Sequence, residues 1–85
     1  MRKEMTIQLA GGLEARPVAV LVQVASQYES SIYLEAGEKR VNAKSIMGMM
    51  TLALNAGEKI VVEANGSDEV AAIEGIESYI SGKDA

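Results

Sequence analysis

The chain has 85 residues, 48% of them hydrophobic, with eight Lys+Arg against twelve Asp+Glu and a net charge of −4; one folded domain over 1–85 is expected, and disorder is not. It contains no cysteine and no histidine, which excludes disulfides, thiolate nucleophiles, zinc–cysteine sites, imidazole bases, histidine metal ligands and phosphohistidine relays. Direct nucleic-acid binding is disfavoured, because phosphate neutralisation needs clustered cations and there is no basic run.

Met5, Ile7 and Leu9 alternate with Thr6 and Gln8, the period of a first strand, which "AGGL" then breaks. After Pro17 the run "VAVLVQVASQY" reads two ways. Val18, Val20, Val22 and Val24 alternate as in a strand, and valine favours strands. Val18, Leu21, Val22, Ala25 and Tyr28 also form a helical stripe, and Pro17 suits a first helical position. The run is long for a strand, so the local signals favour helix.

"SSIYLEAGEKRVNA" has the pattern of a hairpin, with Ile32 and Leu34 on one face, Tyr33 on the other, and Ala36-Gly37 as the turn before Lys39 to Asn42 return. Ser45 precedes "IMGMMTLAL", where Ile46, Met49, Met50 and Ala53 are spaced for a short helix that Gly57 stops. "KIVVEAN" is a strand with Ile60, Val62 and Ala64 on one face. "GSD" opens a last helix, capped by Ser67 or Asp68, whose stripe is Ala72, Ile73, Ile76, Tyr79 and Ile80. Gly75 costs that helix about 1 kcal/mol relative to alanine. Gly82 ends it and "KDA" frays.

The order β-α-β-β-α-β-α predicts an α+β fold: a four-stranded, mainly antiparallel sheet with three helices on one face. Leu21, Leu34, Val62, Ile73, Ile76 and Ile80 belong in its core. Thr6, Gln8, Tyr33, Glu35, Val61 and Glu63 face the other way and are mostly polar, as an open sheet face requires. No apolar stretch reaches the roughly 18 residues of a membrane helix. "MRKEMTIQLA" lacks the long apolar core of a signal peptide, so a cytoplasmic location without a membrane partner is expected.

Two helix entrances carry polar chemistry: Glu14-Ala15-Arg16-Pro17 and Lys44-Ser45-Ile46-Met47-Gly48. Ser45 has two readings. As an N-cap, its hydroxyl accepts an amide hydrogen one turn on, worth about 1 kcal/mol. As a phosphorylation target, it would place nearly two negative charges at the positive end of a helix dipole beside Lys44. Ile46, Met47 and Met50 cannot all turn inward with Met49 and Ala53 on so short a helix. Some stay exposed, and exposed methionines suit adaptable partner surfaces. Glu14 would satisfy amides at its helix start. As a general acid or base it has no second catalytic group nearby, and Arg16 would keep it ionised.

"GLEARP" followed by "VLVQVAS", then "VNAKSIMGMM" at the right distance, resembles the HPr family of the bacterial sugar phosphotransferase system over nearly the whole chain. The resemblance implies an HPr-like open-faced β-sandwich and makes the valine-rich segment a helix. In that family the first motif reads Gly-Ile-His-Ala-Arg-Pro, and its histidine passes phosphate from enzyme I to IIA components. Glu14 stands at that position here, while Arg16 and Pro17 match, so a degenerate phosphocarrier site is implied. A carboxylate could form only a labile acyl phosphate.

The second motif is intact. The resemblance makes Ser45 the residue that HPr kinase/phosphorylase modifies, with Leu13, Arg16, Lys44, Ile46, Met47 and Met50 as partner-contact positions. A lost histidine beside a kept serine looks like the Crh branch, the catabolite-repression form of HPr, where glutamine replaces the histidine. Its serine-phosphorylated form is a corepressor of a LacI-type catabolite control repressor. The alternatives are a phosphocarrier component, or an unphosphorylated decoy that occupies enzyme I or a IIA protein. No cofactor or metal is implied.

Overall fold

In β4 (Lys59–Asn65), alternation buries Ile60, Val62 and Ala64 and leaves Val61 and Glu63 half-covered on the opposite face. A computed structural model describes residues 1–9, 15–52 and 54–82. Strand β4 lies inside a four-stranded sheet, between β1 (Arg2–Thr6) and β2 (Ser31–Ala36), and β3 (Lys39–Asn42) forms the far edge. Every pairing is antiparallel, with Met5 opposite Ile60, Leu34 opposite Val62, and Leu34 also opposite Val41. The helices α1 (Ala15–Ser26), α2 (Ile46–Met49) and α3 (Glu69–Ile80) complete the order.

The core is the sum of the stripes. Val18, Leu21, Val22 and Ala25 of α1 and Ala72, Ile73, Ile76 and Ile80 of α3 are buried with Met5, Ile32, Leu34, Ile60, Val62 and Ala64 of the sheet. This is the expected open-faced arrangement with the helices on one side. The valine-rich segment is helix as far as Ser26, its β-branched residues overridden by the chance to bury one stripe against the sheet, while Tyr28 of the expected stripe lies past the helix end.

Several boundaries differ from expectation. Strand β1 starts at Arg2 and ends at Thr6, so Gln8 and Leu9 lie beyond it, with the Gln8 amide donating to the Ile80 carbonyl at 3.0 Å. The Arg-Lys-Glu segment has no apolar alternation of its own. It is held as a strand because Arg2 finds partners across the sheet. Its guanidinium makes a bidentate pair with Glu35, at 2.8 and 2.9 Å, and reaches Glu63 at 3.2 Å. Arg40 joins from β3, with Glu63 at 3.0 Å, and lies 4.3 Å above the Tyr33 ring.

The hairpin turn is Gly37-Glu38, between the paired Ala36 and Lys39; Gly37 takes φ of +61°, the left-handed value such a turn wants at its first position. Helix α2 is a single turn that ends at Met49. Gly57 does not stop it but sits in the turn before β4, donating its amide to Ile7 at 2.7 Å. Ala53 and the 83–85 tail, like the 10–13 break, fall outside the described residues.

Asp68 occupies the N-cap position of α3, yet its side chain makes no cap bond. It accepts instead from the amides of Glu29 (2.8 Å) and Ser30 (3.0 Å) and from the Ser30 hydroxyl, tying the α1–β2 connection to the start of α3. Ser30 is buried, and Gly66 packs on it so closely that a Cβ there would lie 2.7 Å from the Ser30 Cα. Gly75 has a similar reason for being glycine: the Tyr28 phenol fills the place where a side chain would stand.

The Ser30 hydroxyl, then the Glu29 amide, holds the Asp68 carboxyl below its ordinary value of 3.8. A carboxylate depressed by folding contributes stability that is complete above the unfolded value and lost as pH falls through the folded one. Asp68→Asn is therefore expected to lower the urea midpoint at neutral pH, with the gap to wild type closing only below 3.8. Gly66→Ala is expected to cost about 1–3 kcal/mol in the same titration, since backbone must move to admit the methyl group.

Candidate functional site

The 42–51 segment turns out of β3 and immediately into α2. Asn42 makes the turn, its side-chain oxygen accepting the Lys44 amide at 2.8 Å and its carbonyl the Ser45 amide at 3.1 Å. Ala43, buried, ties the loop to the sheet through its amide on the Ile32 carbonyl at 2.9 Å. Ser45 then takes extended backbone angles (φ −107°, ψ 114°) and caps α2, its hydroxyl oxygen accepting the Gly48 amide at 3.1 Å. The hydroxyl proton and a second lone pair stay free of that bond. Ser45 as a whole is half-buried, neither sealed in the core nor fully exposed.

The other end of the turn is closed as firmly. The Gly48 carbonyl accepts from the Thr51 hydroxyl at 2.6 Å and the Thr51 amide at 3.2 Å, and the Lys39 ammonium donates to the Thr51 carbonyl at 3.2 Å. A Cβ at Gly48 would make ordinary contact, 3.4 Å from the Ser45 hydroxyl oxygen and 3.7 Å from the Val41 Cβ, so this glycine is not required by space.

Only one of the three side chains in α2 enters the core. Met49 is fully buried, whereas Ile46 is 48%, Met47 84% and Met50, just past the helix, 58% exposed. Of the residues spaced for the short helix, Ile46, Met49, Met50 and Ala53, only Met49 is buried among those described, and Ile46 and Met50 are exposed, as part of the apolar group was expected to be. Met47, nearly opposite Met49 around the turn, is the most exposed of the group. Ser45, Ile46, Met47 and Met50 are brought together as one outward-facing group.

Lys44 belongs to this segment, but its ammonium donates to the Tyr28 carbonyl at 2.6 Å, just past the C-terminal end of α1. It is engaged there instead of standing free beside the hydroxyl. Leu13 and Glu14 lie outside the described residues, as does the side chain of Arg16, whose backbone is in the first turn of α1. Pro17 follows it, half-buried, with its carbonyl 3.5 Å from the Tyr79 hydroxyl.

Sequence reasoning missed the supporting residues. Asn42, Thr51 and Lys39 hold the loop and the helix ends. The Asn two residues before Lys44 and the Thr three after Gly48 were the available signals. Among the described residues no cluster of acidic side chains is arranged to hold a metal ion, and no helix is long and apolar enough to cross a membrane.

This fold, with a serine-capped single turn beside the third strand, belongs to one class. Residues 1–82 match the family model described as the PTS HPr component phosphorylation site, and the chain is a member of the HPr family. It is 41% identical over 80 residues to the HPr-like protein Crh of Bacillus subtilis, covering 94% of each chain. It is 42% identical to the HPr-like protein Crh of Halalkalibacterium halodurans, over 94% of this chain and 95% of the relative. A crystal structure of HPr-C-His from Thermoanaerobacter tengcongensis superposes with a TM-score of 0.91 at 41% identity, covering 98% of this chain and 93% of that one.

Ser45→Ala removes the cap of α2 and is expected to lower folding stability by about 1 kcal/mol or less, since one turn is all the cap supports. Ser45→Asp, which restores a cap acceptor, is expected to recover most of that loss in parallel urea titrations.

Proposed function

We propose that this protein is a regulatory member of the HPr family in carbon catabolite repression: HPr kinase/phosphorylase phosphorylates Ser45, and the modified form binds a LacI-type catabolite control repressor as corepressor. The observation that carries the reading is the pairing of a half-buried Ser45, whose hydroxyl caps α2, with the exposed Ile46, Met47 and Met50. The similarity to proteins named Crh supports it.

Phosphorylation would form a bond from the Ser45 hydroxyl oxygen to the γ-phosphorus of ATP, with ADP leaving and the hydroxyl proton released. The phosphate brings nearly two negative charges to the mouth of α2, where the Gly48 amide already points. That charge favours the helix end it joins, so the fold is kept while the surface changes. The partner then reads a dianion against apolar neighbours, and its affinity difference for modified and unmodified forms sets the switch. The role needs no catalysis by this chain and suits a cytoplasmic protein.

Glu14 and the absence of histidine argue against the ordinary phosphocarrier role. In the proposed reading Glu14 sets a fixed negative charge where the family's phosphohistidine charge would come and go, or simply disables transfer, beside Arg16 and Pro17. The exposed apolar group is present before any modification, which favours the decoy reading as the alternative: Leu13, Arg16 and the same patch would occupy enzyme I or a IIA protein.

Incubation with the kinase and ATP is expected to add one phosphate by intact mass, mapped to Ser45 and absent in Ser45→Ala. Repressor binding is expected to tighten at least tenfold for the modified form. Equal binding before and after modification would favour the decoy. Enzyme I and phosphoenolpyruvate are expected to leave the protein unlabelled, while Glu14→His is expected to accept the label.

A further inference from the structure

Four of the five methionines divide into two groups. Met49 and Met5 are sealed in the core, at 0% and 6% exposure, whereas Met47 and Met50 project from α2 beside Ser45. The chain has no cysteine, so no thiol is available to react first with an oxidant. The thioether is then the softest nucleophile the surface offers, and the structure places two of them in one apolar patch.

We propose that Met47 and Met50 form an oxidation site, at which a peroxide converts the patch beside Ser45 from apolar to polar without unfolding the protein. A thioether lone pair attacks one oxygen of hydrogen peroxide; the O–O bond breaks, an S–O bond forms, and the second oxygen leaves as water after proton transfer. Sulfur is oxidised by two electrons and the peroxide is reduced by two. Each product sulfoxide is a strong hydrogen-bond acceptor on a side chain that was apolar before.

The fold has reason to survive this. The bonds that hold α2 are made by backbone and by Ser45 and Thr51: Met49 amide to Ser45 carbonyl, Met50 amide to Ile46 carbonyl, and the two hydroxyl contacts on Gly48. None uses a methionine sulfur. The anchor into the core is Met49, which the peroxide cannot reach while the protein is folded. Met1, 44% exposed, is also reactive, but it lies at the β1 edge of the sheet, whereas α2 packs against β3 at the opposite edge.

The consequence for partner docking rests on the function proposed above. A partner that covers Met47 and Met50 gains from removing apolar surface from water, and a sulfoxide at either position withdraws that gain and demands a hydrogen-bond donor. Serine phosphorylation and methionine oxidation would then act on one surface with opposite sign.

The test treats the full chain with dilute hydrogen peroxide and follows each methionine by peptide mass mapping. Met47 and Met50 are expected to gain one oxygen each while Met5 and Met49 stay intact, with an unchanged circular dichroism spectrum. Retention on a hydrophobic-interaction column is expected to fall for the oxidised wild type. In the Met47→Leu/Met50→Leu double variant, which keeps Met1, retention is expected to hold. Oxidation of Met5 or Met49 at the rate of Met47, or equal loss of retention in wild type and variant, would overturn the proposal. Binding of kinase-treated protein to the repressor is expected to weaken about tenfold on oxidation in the wild type and not in the variant. If reduced, phosphorylated protein fails to bind the repressor, the functional reading falls, while the mass map and the column still decide the oxidation site.

Discussion

A single buried side chain, Met49, anchors the one-turn helix that Ser45 caps. Helix α2 is one turn long, and one turn can turn only one face to the core. With Met49 inward, Met47 lies on the far side of the turn, Ile46 and Met50 are 48% and 58% exposed, and Ser45 caps the helix through its hydroxyl oxygen. An apolar patch of this kind is unfavourable in water, so the segment around it is firmly tied: Asn42 shapes its entry, Thr51 and Lys39 hold its exit, and Ala43 pins it to the sheet. The patch is exposed because the backbone is held, not because it is loose.

The scaffold behind this segment is built from redundant apolar stripes, and those were the legible part of the sequence. Alternation in "KIVVEAN" and the 3.6-residue spacing of Ala72, Ile73, Ile76 and Ile80 state their own buried faces. The valine-rich stretch did not. Its two periodicities overlap; Pro17 and the length of the run leaned toward helix, and the family resemblance settled it. Strand β1 was shifted for a related reason: Arg2 and Glu4 show no apolar alternation, and what holds Arg2 in a strand is a pair of glutamates from β4 and β2. Long-range charge partners leave no local trace. Such exposed pairs each contribute modestly, and the network matters more for register than for total stability.

The candidate site shows the same division. Ser45 as a cap followed from its place before an apolar run, because capping is a local property. Which of the neighbouring apolar residues faced water did not follow, because that depends on where the one-turn helix ends. Asp68 is the complementary case: its position predicted a cap, yet the buried Ser30 hydroxyl and two loop amides compete for the carboxylate and win. Lys44 likewise sits beside Ser45 in sequence while its ammonium is taken by the Tyr28 carbonyl. Adjacency along the chain did not reveal that contact.

The account requires that a dianion added at the α2 cap be absorbed where it lands. The most direct measurement is a residue-by-residue comparison of amide chemical shifts and hydrogen exchange for the protein before and after enzymatic phosphorylation. Changes confined to 44–51 and the Tyr28 neighbourhood, with protection in β4 and α3 undiminished, are the predicted outcome. Loss of protection across the sheet, or a Met49 environment that changes as much as that of Gly48, would contradict it.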